Sequence, residues 1–283
     1  MKLPFSVDLK GKIAIVTGGG GVLGGALAEA LGKCNAKVVV LNRTKEKADK
    51  VVQKIMNDGG QALSVGANVL DKKSLEEARQ EIIQRFGTCD ILVNAAGGNH
   101  PDGITTKEYF EKNDLLDDNI KTFFDLTVEG VGFVFDLNFM GTLIPSQIFA
   151  QDMIDKEDAS IVNISSMAAY SPMTKVPAYC GAKAAITNFT NWLAVHMSKT
   201  GIRVNAIAPG FFQTVQNKDL LTHKDGSYTD RAKKILSNTP LERFGNPEEL
   251  VGTLLWLVQK EASSFVTGIV VPVDGGFQAY SGV

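Results

Sequence analysis

The most constraining stretch of this chain is Gly18-Gly19-Gly20-Gly21-Val22-Leu23-Gly24-Gly25, which follows the β-branched run Lys12 to Thr17 and leads into a helical pattern from Ala26 to Gly32. Glycines between a strand and a helix let the backbone turn sharply and pass close to another group. The free amides at the start of the helix then offer a seat for the negative charge of a phosphate. A tight turn without a ligand would use the same residues. The position after the first strand of a strand-helix-strand unit favours a dinucleotide, its pyrophosphate resting on Gly18, Gly21, Val22 and Leu23.

Short apolar runs recur along the chain: Lys12 to Thr17, Lys37 to Asn42, Ala62 to Asn68, Asp90 to Asn94, Ser160 to Ile164, Arg203 to Ala208 and Thr267 to Pro272. Most are continuous in Val, Ile, Ala and Leu instead of alternating, so both faces of each strand are to be covered. The intervening helical patterns have the length of a right-handed crossover. The expected fold is therefore α/β: a Rossmann-type, doubly wound, parallel seven-stranded sheet with helices on both faces. The 283 residues contain no Pro/Gly/Ser-rich linker and no repeat, which predicts a single domain, 1–283. Two segments lack the strand and helix rhythm, 99–132 and 211–240. Long loops in a compact domain are commonly functional, and both follow strand ends, where open α/β sheets place their ligands.

Composition narrows the function. A net charge of −2 with a pI near 6.0 gives no pull toward nucleic acid or an anionic membrane. Cys34, Cys89 and Cys180 are an odd set without CxxC spacing, as for reduced thiols in the cytoplasm, and His100, His196 and His223 are too scattered to hold a metal. The sequence offers no uninterrupted apolar stretch of about 18 residues, so neither export nor a membrane span is expected.

The second strand ends at Asn42-Arg43, where a dinucleotide site tests the adenosine ribose. An acidic side chain there would repel a 2′-phosphate, whereas the Arg43 fork suits one, which leans the choice toward NADP over NAD. Arg43 stacking on adenine or reaching solvent is the alternative. Further on, Tyr179 and Lys183 stand four apart at the start of a helical pattern running to about Lys199, so they share one face. An ammonium beside a phenol favours the phenolate and brings its pKa toward the working range of a general acid or base. Ser166 precedes that pair at the end of the fifth strand.

With these motifs in order, the chain resembles the short-chain dehydrogenase/reductase family over nearly its whole length. The resemblance rests on the Thr17 to Gly24 turn, Asn94-Ala95-Ala96-Gly97, Asn138 with Gly141, Ser166, Tyr179 with Lys183, Pro209-Gly210 with Thr214, and Asp274-Gly275-Gly276. It implies that Tyr179 transfers the substrate proton and that Ser166 orients the same oxygen. It further implies that Lys183 holds the nicotinamide ribose and that Asn138 anchors a proton-relaying water. Asn94, Ala95, Ala96 and Gly97 would let the cofactor lie across a strand end, with Asn68 and Val69 near adenine and Pro209, Gly210 and Thr214 near the nicotinamide. The chain departs from the family pattern at Val22, where a glycine is usual, and at Asn68, where an aspartate is common.

Within the family the chain is most similar to the D-mannonate oxidoreductase group, through Asn94 to Pro101, Pro209 to Phe212 and the terminal Asp274 to Val283. That likeness implies a sugar-acid substrate, for which Asn99, His100, Lys175 and Gln213 are the candidate contacts, and a homotetramer or homodimer. The rival readings are a reductase of another carbonyl class, a 3-oxoacyl thioester or a gluconate-type keto acid, and a cofactor-binding regulator without catalysis. The phenylalanines between Phe110 and Phe139 suit helix packing or a subunit interface better than an apolar pocket, and Cys180 suits packing better than nucleophilic attack.

Overall fold

In a computed structural model, which describes residues 7–214 and 221–282, the frame is one parallel sheet. Its strands are β1 (Ile13–Thr17), β2 (Lys37–Asn42), β3 (Gln61–Gly66), β4 (Ile91–Asn94), β5 (Ala159–Ile164), β6 (Ile202–Pro209) and β7 (Val270–Val273), in the order β3-β2-β1-β4-β5-β6-β7. All neighbours pair parallel, with Thr17 beside both Leu41 and Asn94.

Among the described residues the helices of eight or more residues are α1 (Val22–Lys33), α2 (Lys45–Asn57), α3 (Lys72–Arg85), α4 (Val128–Phe135), α5 (Gly141–Phe149), α6 (Pro177–His196), α7 (Asp230–Ser237) and α8 (Val251–Val258). Successive side chains of a strand point to opposite faces. Ile13 and Ile15 of β1 accordingly enter one core with Leu75 and Ile82 of α3 and Phe149 of α5. Ala14 and Val16 enter the other with Leu27 and Leu31 of α1 and Leu254 and Leu257 of α8. This two-sided burial is why the strands read as unbroken apolar runs. Each fully buried large aliphatic side chain contributes about 1.5–3 kcal/mol.

Most strand ends fall close to their expected places, with two instructive exceptions. The third strand stops at Gly66 and does not reach Asn68. Asn68 is taken up by the turn into α3: its Oδ1 accepts from the Leu70 amide at 3.1 Å and its own amide donates to Ser74 Oγ at 3.2 Å. The last strand starts at Val270 and not at Thr267, because Gly268 turns the chain with φ +80° while Thr267 Oγ1 accepts from the Val204 amide at 3.0 Å. Helix α6 ends at His196, short of Lys199.

Segment 99–132 carries 3-10 turns at Pro101–Gly103, Lys112–Leu116 and Phe123–Asp125 before α4 begins. Segment 211–240 is not wholly irregular: it contains α7, capped by Thr229 and buried through Ala232 and Ile235. A π-helical turn, Asp136–Met140, joins α4 to α5, and the helical run Val128–Met153 is long and apolar enough by composition to cross a membrane. The sequence reading missed this run because polar residues interrupt it. Half of its most apolar window is buried, and α5 packs on β4 and α3, as a core helix does.

Candidate active site

Strand β1 lies between β2 and β4, so the chain leaves it in opposite directions on its two sides and a crevice opens beyond the strand ends. Gly18 bridges that crevice. Its φ is +64°, and a Cβ there would stand 2.8 Å from the Ala95 carbonyl and the Ala96 backbone, so only glycine fits. Thr17 Oγ1 accepts from the amides of Ala95 (3.2 Å) and Ala96 (3.3 Å), tying the turn to the end of β4. Gly21 caps α1 without a side-chain acceptor, and the first turn of the helix carries no acid. The first-turn amides of Val22 and Leu23 have no intrahelical acceptor, so the residues fit a pyrophosphate.

Around the adenosine end, Asn42 Nδ2 donates to the Thr44 carbonyl at 2.9 Å, while Arg43 is exposed and makes no hydrogen bond or ion pair among the described residues. The Val69 side chain is buried against Gly141, whereas Asn68 is exposed: its Oδ1 and amide serve the turn, and its Nδ2 donates to no group among the described residues. Asn94 is turned inward. Its Nδ2 donates to Ser146 Oγ (3.0 Å) and Asn163 Oδ1 (2.9 Å), and Asn163 in turn donates to Thr190 Oγ1 of α6 at 2.9 Å. From Ser146 the chain of bonds continues through the Thr142 carbonyl, and Thr142 Oγ1 donates to the Asn138 carbonyl at 2.9 Å. A buried polar ladder thus joins the helix that bears Asn138 to the helix that bears Tyr179.

Asn138 is fully buried in the π-helical turn, a feature common at functional sites. Its Nδ2 donates to the carbonyls of Gly98 (2.7 Å) and Val134 (2.8 Å), and its Oδ1 accepts from the Gly98 amide at 3.3 Å. Gly97 is wedged beside it: a Cβ there would stand 2.7 Å from Asn138 Oδ1 and 3.4 Å from Lys183 Nζ. Lys183 is buried, donates to the Ile164 carbonyl at 2.8 Å and lies 5.5 Å from the Tyr179 ring centre. Ser166 Oγ accepts from the Ala168 amide at 3.2 Å and reaches the Pro209 carbonyl at 3.5 Å. The fold therefore gathers Asn138, Ser166, Tyr179, Lys183 and Gly97 at the ends of β4, β5 and β6.

The electrostatics differ from the sequence expectation. Burial pushes the Tyr179 phenol above its ordinary range, and interaction with the Ser166 hydroxyl pulls it part of the way back. Lys183 is not among the groups that lower it. Burial also pushes the Lys183 ammonium down, to about 8. In the chain without a bound cofactor both groups are thus biased toward their neutral forms, because desolvation outweighs their mutual attraction at this separation.

The sequence-predicted substrate contacts are scattered. Asn99 is exposed, and its Oδ1 accepts from the His100 amide; His100 Nδ1 accepts from the Asp102 amide and its ring packs on Phe133. Lys175 is held at φ +72°, and the Gln213 amide donates to the Gly245 carbonyl at 3.0 Å. The Gly210 amide donates to the Val273 carbonyl at 2.9 Å, fixing the loop that leads to Thr214. None of the four lines a cavity of about 190 Å³ built from Glu108, Ser171, Pro172, Met173, Thr174, Phe211, Arg231, Lys234, Ile235, Asn238 and Phe277. This cavity lies near Tyr179, since Met173 packs in one cluster with Tyr179 and Phe211 follows Pro209-Gly210. Sequence reasoning missed its cations, although Arg231, Lys234, Ile235 and Asn238 have the i, i+3, i+4, i+7 spacing of one helix face.

The short chain dehydrogenase family matches residues 12–225. The uncharacterized oxidoreductase UxuB of Bacillus subtilis (strain 168) is 53% identical over 281 residues, 99% of this chain and 100% of its own. A crystal structure of a candidate D-mannonate oxidoreductase from Haemophilus influenzae with bound NAD superposes with a TM-score of 0.95, at 51% identity and over 100% of both chains. Glucose 1-dehydrogenase 2 of Bacillus subtilis is 34% identical over 96% of this chain and 97% of its own.

Proposed function

This chain belongs to the short chain dehydrogenase family and is an NAD(P)-dependent oxidoreductase, and from that premise we propose that it interconverts a secondary alcohol and a ketone of a sugar acid of the D-mannonate/D-fructuronate type. The observation that carries this reading is the small cavity beside Tyr179, which combines cations, hydroxyls and a carboxamide with apolar walls. Its charged and hydroxyl-bearing lining suits a short polar chain better than the long apolar chain of an acyl thioester. The likeness to the D-mannonate oxidoreductase candidate over its full length supports the same choice.

The roles follow from the positions. The bound nicotinamide supplies or takes the hydride. Tyr179, kept protonated by its burial, is suited to donate a proton to the carbonyl oxygen during reduction, and Ser166 hydrogen-bonds the same oxygen as negative charge gathers there. Lys183 holds the nicotinamide ribose, and the Asn138 turn anchors the water that returns protons to solvent. The pyrophosphate rests on the amides after Gly21, with Ala95, Ala96 and Gly97 under the cofactor. Arg43, exposed just after β2 and without a hydrogen bond or ion pair among the described residues, supports use of NADP alongside NAD.

Self-association into a homodimer or homotetramer is part of the same proposal, supported by Trp192 and Val195, which stand exposed on α6. A cytoplasmic location accords with three unpaired cysteines. The test of the function is a panel of keto acids, ketoses and 3-oxoacyl thioesters assayed with NADH and NADPH separately. Reduction of D-fructuronate ahead of the others is expected, whereas efficient thioester reduction with no turnover of fructuronate would reject the reading.

A further inference from the structure

The cavity beside Tyr179 holds more positive charge than it can neutralise. Glu108 reaches it from segment 99–132 and pairs with Lys234 of α7, whose ammonium also lies 5.8 Å from the Tyr109 ring centre. That pairing, with the fields of Lys175 and Arg231, holds the Glu108 carboxyl below its usual range. Lys175, Arg231 and Lys234 thus surround one carboxylate. Lys234 is spent on Glu108, and Lys175 does not line the cavity. Arg231 does line it, and it makes no hydrogen bond or ion pair among the described residues.

We propose that Arg231 receives the carboxylate of the substrate and so sets its selectivity for acids over neutral ketones, an inference that rests on the sugar-acid reading above. The guanidinium fork matches a carboxylate with two parallel bonds, which an ammonium does not. Across the cavity stand Ser171 and Thr174, whose hydroxyls have no partner among the described residues, and Asn238, whose Nδ2 is committed to the Lys234 carbonyl at 2.8 Å while its Oδ1 is left to accept. Together they complement a chain of hydroxyls. Met173, Phe211 and Phe277 form the apolar walls, with Phe211 and Phe277 packed edge to face at 5.2 Å. The carboxylate end of a substrate is therefore held by α7, and its ketone end is left toward Tyr179 and Ser166.

The experiment compares the wild type with Arg231→Gln and Arg231→Lys on D-fructuronate and other keto acids, and on D-fructose, which carries a neutral CH2OH where fructuronate carries its carboxylate. Arg231→Gln is expected to raise KM for keto acids by about 10- to 100-fold. It should leave kcat, the KM of the cofactor and the rate on fructose within about twofold, and Arg231→Lys should restore part of the loss. Equal effects on acid and neutral substrates, or no effect on either, overturn the assignment. If another keto acid replaces fructuronate as the substrate and Arg231→Gln weakens it selectively, Arg231 stands and the sugar-acid identity falls. If fructuronate is turned over equally well by both proteins, the identity stands and Arg231 falls.

Discussion

Lys183 donates its ammonium proton to the carbonyl of Ile164, the last residue of β5, at 2.8 Å. Ser165 completes the fastening, with its Oγ donating to the Lys183 carbonyl at 3.1 Å and lying 2.7 Å from Thr187 Oγ1. The helix that presents Tyr179 is thereby pinned to the strand that delivers Ser166, and the phenol and hydroxyl proposed to act on one substrate oxygen keep one mutual geometry.

The same burial sets a pH dependence. The folded-state pKa of Lys183 is lowered from the ordinary 10.5 to about 8, so the ammonium is complete below about pH 8 and is lost as pH rises through that value. The unfolded chain holds that proton up to its ordinary pKa. Between about pH 8 and pH 10.5 the unfolded state therefore binds more protons, and the fold gains stability from this group as pH rises. Urea unfolding of the cofactor-free wild type and of Lys183→Met across that window should show the wild type gaining relative to the variant. In turnover the sign is opposite: kcat/KM for the cofactor, which reports the free enzyme, falls above about pH 8.

Replacing Tyr179 by Phe removes the proposed proton donor and keeps the ring. Reduction is expected to slow by about 10²- to 10⁴-fold, with cofactor binding, followed by fluorescence titration, unchanged. Near-normal turnover would reject the assigned donor. Because burial raises the phenol, wild-type reduction should hold at neutral pH, and oxidation should quicken as pH climbs.

A methyl group at position 97 has nowhere to go. Gly97→Ala places it 2.7 Å from Asn138 Oδ1 and 3.4 Å from Lys183 Nζ, and Asn138 is locked by bonds to Gly98 and Val134. Overpacking of this kind costs about 1–3 kcal/mol. Calorimetry should show a lower Tm, and the rate should drop with it, since both neighbours belong to the candidate site.

Cofactor choice is testable at Arg43. Arg43→Ala should lower kcat/KM for NADPH by about tenfold and leave NADH within about twofold, as loss of a phosphate contact does. Equal values for both cofactors in the two proteins would assign the guanidinium to solvent.

Much of this architecture was legible because its causes are local. Strands covered on both faces leave continuous apolar runs, the Gly18 turn needs a residue free of Cβ, and Tyr179 and Lys183 share a helix face by spacing alone. What escaped depends on contacts distant in sequence. The inward turn of Asn94 is set by Ser146 and Asn163, neither of which is near it in the chain. Helix α7 is only eight residues long, too short for its periodicity to stand out among polar neighbours, so Arg231 and Lys234 went unnoticed while His100 and Lys175 drew attention by residue type. The phenol was expected to be acidified, yet desolvation of both partners overrides a pairing that sequence spacing can suggest but not weigh.

The ladder from Asn138 through Thr142, Ser146, Asn94 and Asn163 to Thr190 stitches α5 and α6 to the middle of the sheet. The proposed chemistry of this protein is thereby bolted to the middle of its sheet, whereas the proposed recognition is lodged in two outlying segments latched by Glu108 and Lys234. Exchanging those segments for others would retune what the protein accepts and leave the hydride-transfer apparatus undisturbed.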